Sequence, residues 1–196
     1  MDVLIKGEIV LFGTVGAKLL PDEEFFTDID VKNALAKVGT RDISVRINSG
    51  GGYADHGVAI YNMLKDHPGK VNVTIDGVAA SAGSLIAMAG DTITMNTGTL
   101  MMVHRASMVS IGNVDDHEKN LESLKATDNN MVDIYTARTG RARAEIEAEV
   151  TAEMATGGRA ATRCMDASKS HRAAGLARRQ GSGDDHRREQ PDLGLE

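Results

Sequence analysis

The hydroxyl of Ser81 stands in Gly77-Val-Ala-Ala-Ser-Ala-Gly-Ser-Leu85, among side chains too small to cover it. A serine presented in this way acts as a nucleophile once a neighbouring base takes its proton. Ahead of it, Val71-Asn-Val-Thr-Ile75 alternates apolar and polar residues as a half-buried strand does, and Ser84-Leu-Ile-Ala-Met-Ala89 after it favours a helix. Ser81 is therefore predicted at a strand-to-helix turn. The first amides of such a helix lack intrahelical acceptors and lie at the positive end of its dipole. They can stabilise an oxyanion that forms beside the hydroxyl. Small residues around a serine also suit plain close packing, and this segment alone leaves both readings open.

Two further segments bear on the choice. Asp42-Ile-Ser-Val-Arg-Ile47 alternates as a strand and runs into Asn48-Ser-Gly-Gly-Gly52, which reads as a glycine turn. Tyr53 to His67 then carries Val58, Ile60, Tyr61 and Leu64 at helical spacing. Glycine admits positive φ and close approach of a ligand, and a glycine-rich turn feeding a helix presents free N–H groups to an anion; a simple connection is the other reading. The second segment is Leu100-Met-Met-Val-His-Arg105, a short apolar run that ends in a histidine. Imidazole titrates near neutral pH, so His104 suits the role of general base to a nearby serine, against the commoner case of a histidine with no chemistry.

The elements that must position these groups alternate along the chain. Glu8-Ile-Val-Leu-Phe12 reads as an early strand, and Thr27 with Asp30 three residues on marks a helix start. Val31, Ala34, Leu35 and Val38 share one face of that helix, which Gly39 ends. Three strand-and-helix units in succession imply mainly parallel strands with right-handed crossovers. No internal repeat is visible, and no G-x-G-x-x-G follows a strand, which excludes a Rossmann nucleotide site. Asn113 to Arg138 reads as one long helix. Leu121, Leu124, Met131, Ile134 and Tyr135 fall at helical spacing, Asp115, Asp116 and Glu118 crowd the first turn, and Gly140 follows the end. Asp128 lies within the apolar stripe and requires a partner, such as a lysine or arginine from a neighbouring copy.

Ile47-Asn-Ser-Gly-Gly-Gly52, Gly77-Val-Ala-Ala-Ser-Ala-Gly83 and Met101-Met-Val-His104, in this order, resemble the Clp protease proteolytic subunit family, most of all its phage and prophage branch. The likeness includes Val58-Ala-Ile-Tyr-Asn62, His67-Pro-Gly-Lys-Val71, Ile86-Ala-Met-Ala-Gly-Asp91 and Tyr135-Thr-Ala-Arg-Thr-Gly140. It extends from about residue 8 to about residue 153. It implies an α/β fold, a ClpP/crotonase-like superhelix of stacked βαβ units, with residues 113–138 as a protruding handle helix that meets a second ring of subunits. It further implies Ser81 as nucleophile, His104 as base, and the amides of Gly52 and Ala82 as oxyanion hole with Gly51 in support. No metal or cofactor is implied. The implied partners are a polypeptide substrate, a homo-oligomeric ring of the same chain, and a phage capsid or portal protein processed during head maturation; an AAA+ unfoldase is left open. Family members usually have proline at the place of Gly50, so this loop is expected to be looser.

The likeness stops near Glu153. In the family a further helix and strand deliver an aspartate that orients the histidine, at a place corresponding here to about residues 165–170. Asp166 is the only aspartate near that place, and no strand pattern surrounds it. From Ala155 to Glu196 there is no Val, Ile, Phe, Tyr or Trp, so this stretch buries too little apolar surface to offset its ordering entropy. The expected organisation is thus a peptidase domain over 1–154 and an atypical, poorly ordered tail over 155–196. A shifted reading frame accounts for so abrupt a change, and the coding DNA tests it.

The remaining composition narrows the class. Of 22 Lys and Arg and 28 Asp and Glu, residues 1–154 hold 14 and 22, so the body is acidic and nucleic acid is not the expected ligand. Cys164 is the single cysteine, which excludes a disulfide framework and a cysteine metal site. No apolar run is long enough to span a bilayer, and Met1-Asp-Val-Leu-Ile-Lys-Gly is too short and too soon charged for a signal peptide, so a bacterial cytoplasm carrying phage genes is the expected compartment. Two other functions stay in view: a non-enzymatic ring or scaffold protein with an incomplete triad, and a crotonase-type acyl-CoA enzyme. The last would leave Ser81 and His104 without a role.

Overall fold

A computed structural model describes residues 2–18 and 21–157. The elements run β1 (Leu4–Ile5), β2 (Glu8–Val15), β3 (Phe25–Phe26), α1 (Asp28–Val38), β4 (Ile43–Gly52), α2 (Ala54–Lys65), β5 (Val71–Ala80) and α3 (Ala82–Ala87). They continue with β6 (Thr92–Met95), β7 (Leu100–Met102), α4 (Val114–Thr139), α5 (Arg143–Thr151) and β8 (Ala155–Gly157). The strands form one eight-stranded sheet in the order β1-β2-β4-β5-β7-β8, with β3 beside β2 and β6 beside β5. The pairs between β2, β4, β5, β6 and β7 are parallel, as the alternation of strands and helices predicts.

Alternate residues of the central strands, Ile9 and Leu11, Val45 and Ile47, Val73 and Ile75, are buried in one core with Val31, Ile60, Leu64, Leu85 and Ile86 from the helices. On the other face Arg46 grips Asp76 with two hydrogen bonds of 2.7 and 2.6 Å. Both expected helix starts are capping boxes: Thr27 with Asp30 opens α1, and Asn113 with Asp116 opens α4. Thr27→Ala should cost about 1 kcal/mol in a urea unfolding experiment. Gly140 ends α4 in the left-handed conformation. Among the described residues no helix is long and apolar enough to cross a membrane.

Four expectations need correction. Asn48-Ser-Gly-Gly-Gly52 is the last half of β4, in which Ser49 and Gly51 are buried and their neighbours exposed, and the turn into α2 comes only after it. Backbone ladder bonds hold this segment, which explains why a pattern without apolar side chains still forms a strand. Second, Ala155–Gly157, placed in the tail by composition, form β8 antiparallel to β7. An edge strand needs only backbone partners, and β7 supplies them; residues 158–196, with Cys164 and Asp166, lie outside the described residues. Third, the stripe of α4 divides. Met131 and Tyr135 are buried and Ile134 packs on the same core, whereas Leu121 is 51 % exposed. Fourth, Asp128 finds its partners within its own chain, in the Ala106 amide and the Arg105 guanidinium.

Gly50 has open space where a Cβ would stand and no positive φ, so the structure imposes no glycine there. Gly50→Ala should raise stability by about 0.4–1 kcal/mol in chemical denaturation, by restricting the unfolded chain. Gly51→Ala should do the opposite, because its φ is 105° and the new Cβ would lie 2.6 Å from that of Ser81.

Candidate active site

The carboxyl ends of β4, β5 and β7 converge, the place where open parallel sheets bind ligands. A bulge brings them together. Ile47 pairs with Ile75 but Ser49 pairs with Ala79, so β5 carries extra residues at 76–78, and the Asn48 Oδ1 takes the Val78 amide at 3.1 Å. β5 thereby leaves β6 after Ile75 and pairs with β7 from Val78 onward. The ladder continues one step beyond β5, where the Ser81 amide donates to the Met102 carbonyl at the end of β7 at 3.0 Å.

Ser81 occupies the turn between β5 and α3 with φ 52° and ψ −124°. A non-glycine residue held there costs on the order of 1–3 kcal/mol, and such strain gathers at sites where a side chain must be presented. Three donors lock its carbonyl: the Ser84 hydroxyl at 2.6 Å, the Ser84 amide at 2.9 Å and the Leu85 amide at 3.3 Å. Beside it, the Gly51 amide donates to Ser49 Oγ at 3.2 Å and is thereby occupied. Gly52 has φ 146°, and a Cβ there would meet the Val15 carbonyl at 2.2 Å, so only glycine fits. Ala82 opens α3, where its amide has no intrahelical acceptor.

His104 follows β7 by two residues, and its backbone is fixed from both sides. The Val103 amide donates to the Met154 carbonyl at 3.1 Å, and the Ala106 amide to Asp128 Oδ1 at 2.7 Å. Ser81, Ala82, Gly52 and His104 line one cleft of about 470 Å³, whose walls include Tyr53, Leu85, Met108 and Met131. The structure thus brings together the residues expected for nucleophile, base and oxyanion donors. Among the described residues none is hydrogen-bonded to the His104 ring, and Asp166 lies outside them. Sequence reasoning missed Ser84 and Tyr135, whose hydroxyls meet at 2.7 Å behind the turn. They are 51 positions apart, and no local pattern links them.

The family model for Clp protease matches residues 33–164. The chain belongs to the Clp protease family. A relative, the ATP-dependent Clp protease proteolytic subunit 1 of Chlamydia caviae, is 29% identical over 112 residues, covering 55% of this chain and 59% of that subunit. The chain thus spans rather less than two thirds of the length of the curated relative it matches. The solved structure of a point mutant of ClpP1 from Listeria monocytogenes superposes with a TM-score of 0.70 at 20% identity, over 81% of this chain and 87% of that one. This likeness shows the Clp fold. The α/β architecture expected from the sequence is therefore the observed one.

Proposed function

We propose that this chain is a Clp-type serine endopeptidase acting by acyl transfer. The observation that carries the reading is Ser81, held at positive φ between β5 and α3 in one cleft with His104, Gly52 and Ala82. Ser81 Oγ attacks the peptide carbonyl carbon while its proton passes to the His104 ring, and the Gly52 and Ala82 amides hold the resulting oxyanion. The C–N bond then breaks as His104 returns the proton to the leaving amine, and water repeats the sequence to free the acyl group. The likeness of the linking segments to phage and prophage members supports capsid or portal protein processing as the setting. Coexpression with such a protein tests it, and an uncut partner would remove that setting. Treatment with a fluorophosphonate probe, followed by peptide mapping, should place the label on Ser81.

A non-enzymatic ring or scaffold is the second reading, favoured by the absence of a described partner for the His104 ring. An unlabelled Ser81 in folded protein would decide for it.

Assembly into a homo-oligomeric ring is part of the proposal. Val109 and Ile111 are 92 % and 89 % exposed, and Leu121 on α4 is half exposed, apolar side chains that a contact with a second copy would cover. Leu121→Asp should lower the mass measured by light scattering without unfolding the chain. Ile134 would be the wrong choice, since it packs on its own core. A wild-type mass equal to one 20.8 kDa chain would contradict the ring.

A further inference from the structure

Helix α4 reaches both halves of the proposed site with one face. Asp128 and Tyr135 are seven positions and so about two turns apart, with Met131 between them in the wall of the cleft. Asp128 Oδ1 accepts from the Ala106 amide at 2.7 Å, two residues beyond His104. Tyr135 meets Ser84 Oγ at 2.7 Å, and that oxygen lies 2.6 Å from the Ser81 carbonyl.

The proton order along this second chain is fixed by its end. A carbonyl only accepts, so the Ser84 hydroxyl donates to Ser81, and Tyr135 must donate to Ser84. Burial pushes the Tyr135 phenol above its ordinary value against the opposing Ser84 hydrogen bond, so it remains a donor through neutral pH. The Ser81 carbonyl and the Ala82 N–H belong to one rigid peptide plane. Holding the carbonyl down toward Ser84 therefore aims the Ala82 amide the opposite way.

We propose that Asp128 and Tyr135 are positioning residues, by which α4 holds the base segment with one hydrogen bond and the oxyanion donor with another. This rests on the peptidase reading above. Neither residue touches substrate. Asp128 acts through the Ala106 backbone on His104, and Tyr135 acts through Ser84 on the Ser81–Ala82 peptide. Arg105, 3.7 Å from Asp128 and 62 % exposed, adds little, because ion pairs in water are weak.

The test is the saturation kinetics of Ser81 labelling by a fluorophosphonate, on the full chain well below its thermal midpoint. Tyr135→Phe keeps the ring and loses only the hydroxyl. It should lower the maximal labelling rate about tenfold while the half-saturating probe concentration stays unchanged, since the lost interaction acts on the transition state and not on binding. Asp128→Ala should show a similar loss. Asp128→Asn, which retains an acceptor for the Ala106 amide, should recover most of the rate. A role in stability alone would move the thermal midpoint and leave the rate of the folded protein untouched. Folded Tyr135→Phe and Asp128→Ala proteins that label as fast as wild type would overturn the positioning alone, as would an Asp128→Asn protein as slow as Asp128→Ala. A wild-type chain that takes no label would overturn the peptidase reading and the positioning with it.

Discussion

Ser81→Ala should take no fluorophosphonate label and lose about 10²-fold in peptide turnover, since removal of a whole triad costs about 10⁶ and a chain without the orienting carboxylate has already lost about 10⁴ of it. The fold should survive. No hydrogen bond to the Ser81 hydroxyl is present among the described residues, and its backbone is held through its amide and carbonyl instead. Ser81→Gly sharpens the test. At φ 52° the residue is strained, and glycine adopts that conformation freely, so this variant should be as inactive as Ser81→Ala but more stable than wild type by about 1 kcal/mol or more. A gain of stability with loss of activity identifies a conformation kept for chemistry. Turnover that persists in pure Ser81→Ala protein, measured against a parallel wild-type preparation, would remove the serine mechanism.

Much of the scaffold was legible because local rules and tertiary packing agree. Thr27 with Asp30 forms the helix start that its spacing predicts, the long helix begins at the acidic turn of Asp115 and Asp116, and Gly39 and Gly140 follow the helix ends. The strands whose apolar residues alternate, Ile43 to Ile47 and Val71 to Ile75, are half-buried as that pattern requires. What escaped depends on partners distant in sequence. Residues 48–52 form strand because β2 and β5 flank them, although three glycines in a row argue for a turn. Strand β8 exists because β7 offers an edge to Ala155, Thr156 and Gly157, which carry no strand pattern. Helix α5 was missed, although Ile146 and Val150, four apart and both buried, beside Arg143 and Glu147 at the same spacing, carry its signal. The candidate site divides likewise. Ser81 and His104 stand out by type and setting, whereas the pairing of Asp128 with the Ala106 amide is a property of the folded chain alone.

His104→Ala is the second variant with a large expected effect. Without the imidazole the Ser81 proton has only water to go to, and turnover should fall about as far as in Ser81→Ala, by about 10²-fold. Slow labelling should persist, because the Gly52 and Ala82 amides still stabilise the oxyanion and such donors alone retain on the order of 10³–10⁴ over water. The wild-type chain is itself expected to be a poor catalyst. A carboxylate that orients the histidine contributes about 10⁴ in turnover, or roughly 5 kcal/mol of transition-state stabilisation, and the described residues give the His104 ring no such partner. Its backbone is instead pinned at Val103 by Met154 and at Ala106 by Asp128, which fixes where the ring starts but not its tautomer. No strand pattern surrounds Asp166 in the sequence, so Asp166→Asn should leave peptide turnover as it is. A fall of about 10⁴ in that variant, with labelling still on Ser81, would make Asp166 the missing third member and refute the expectation of weak activity.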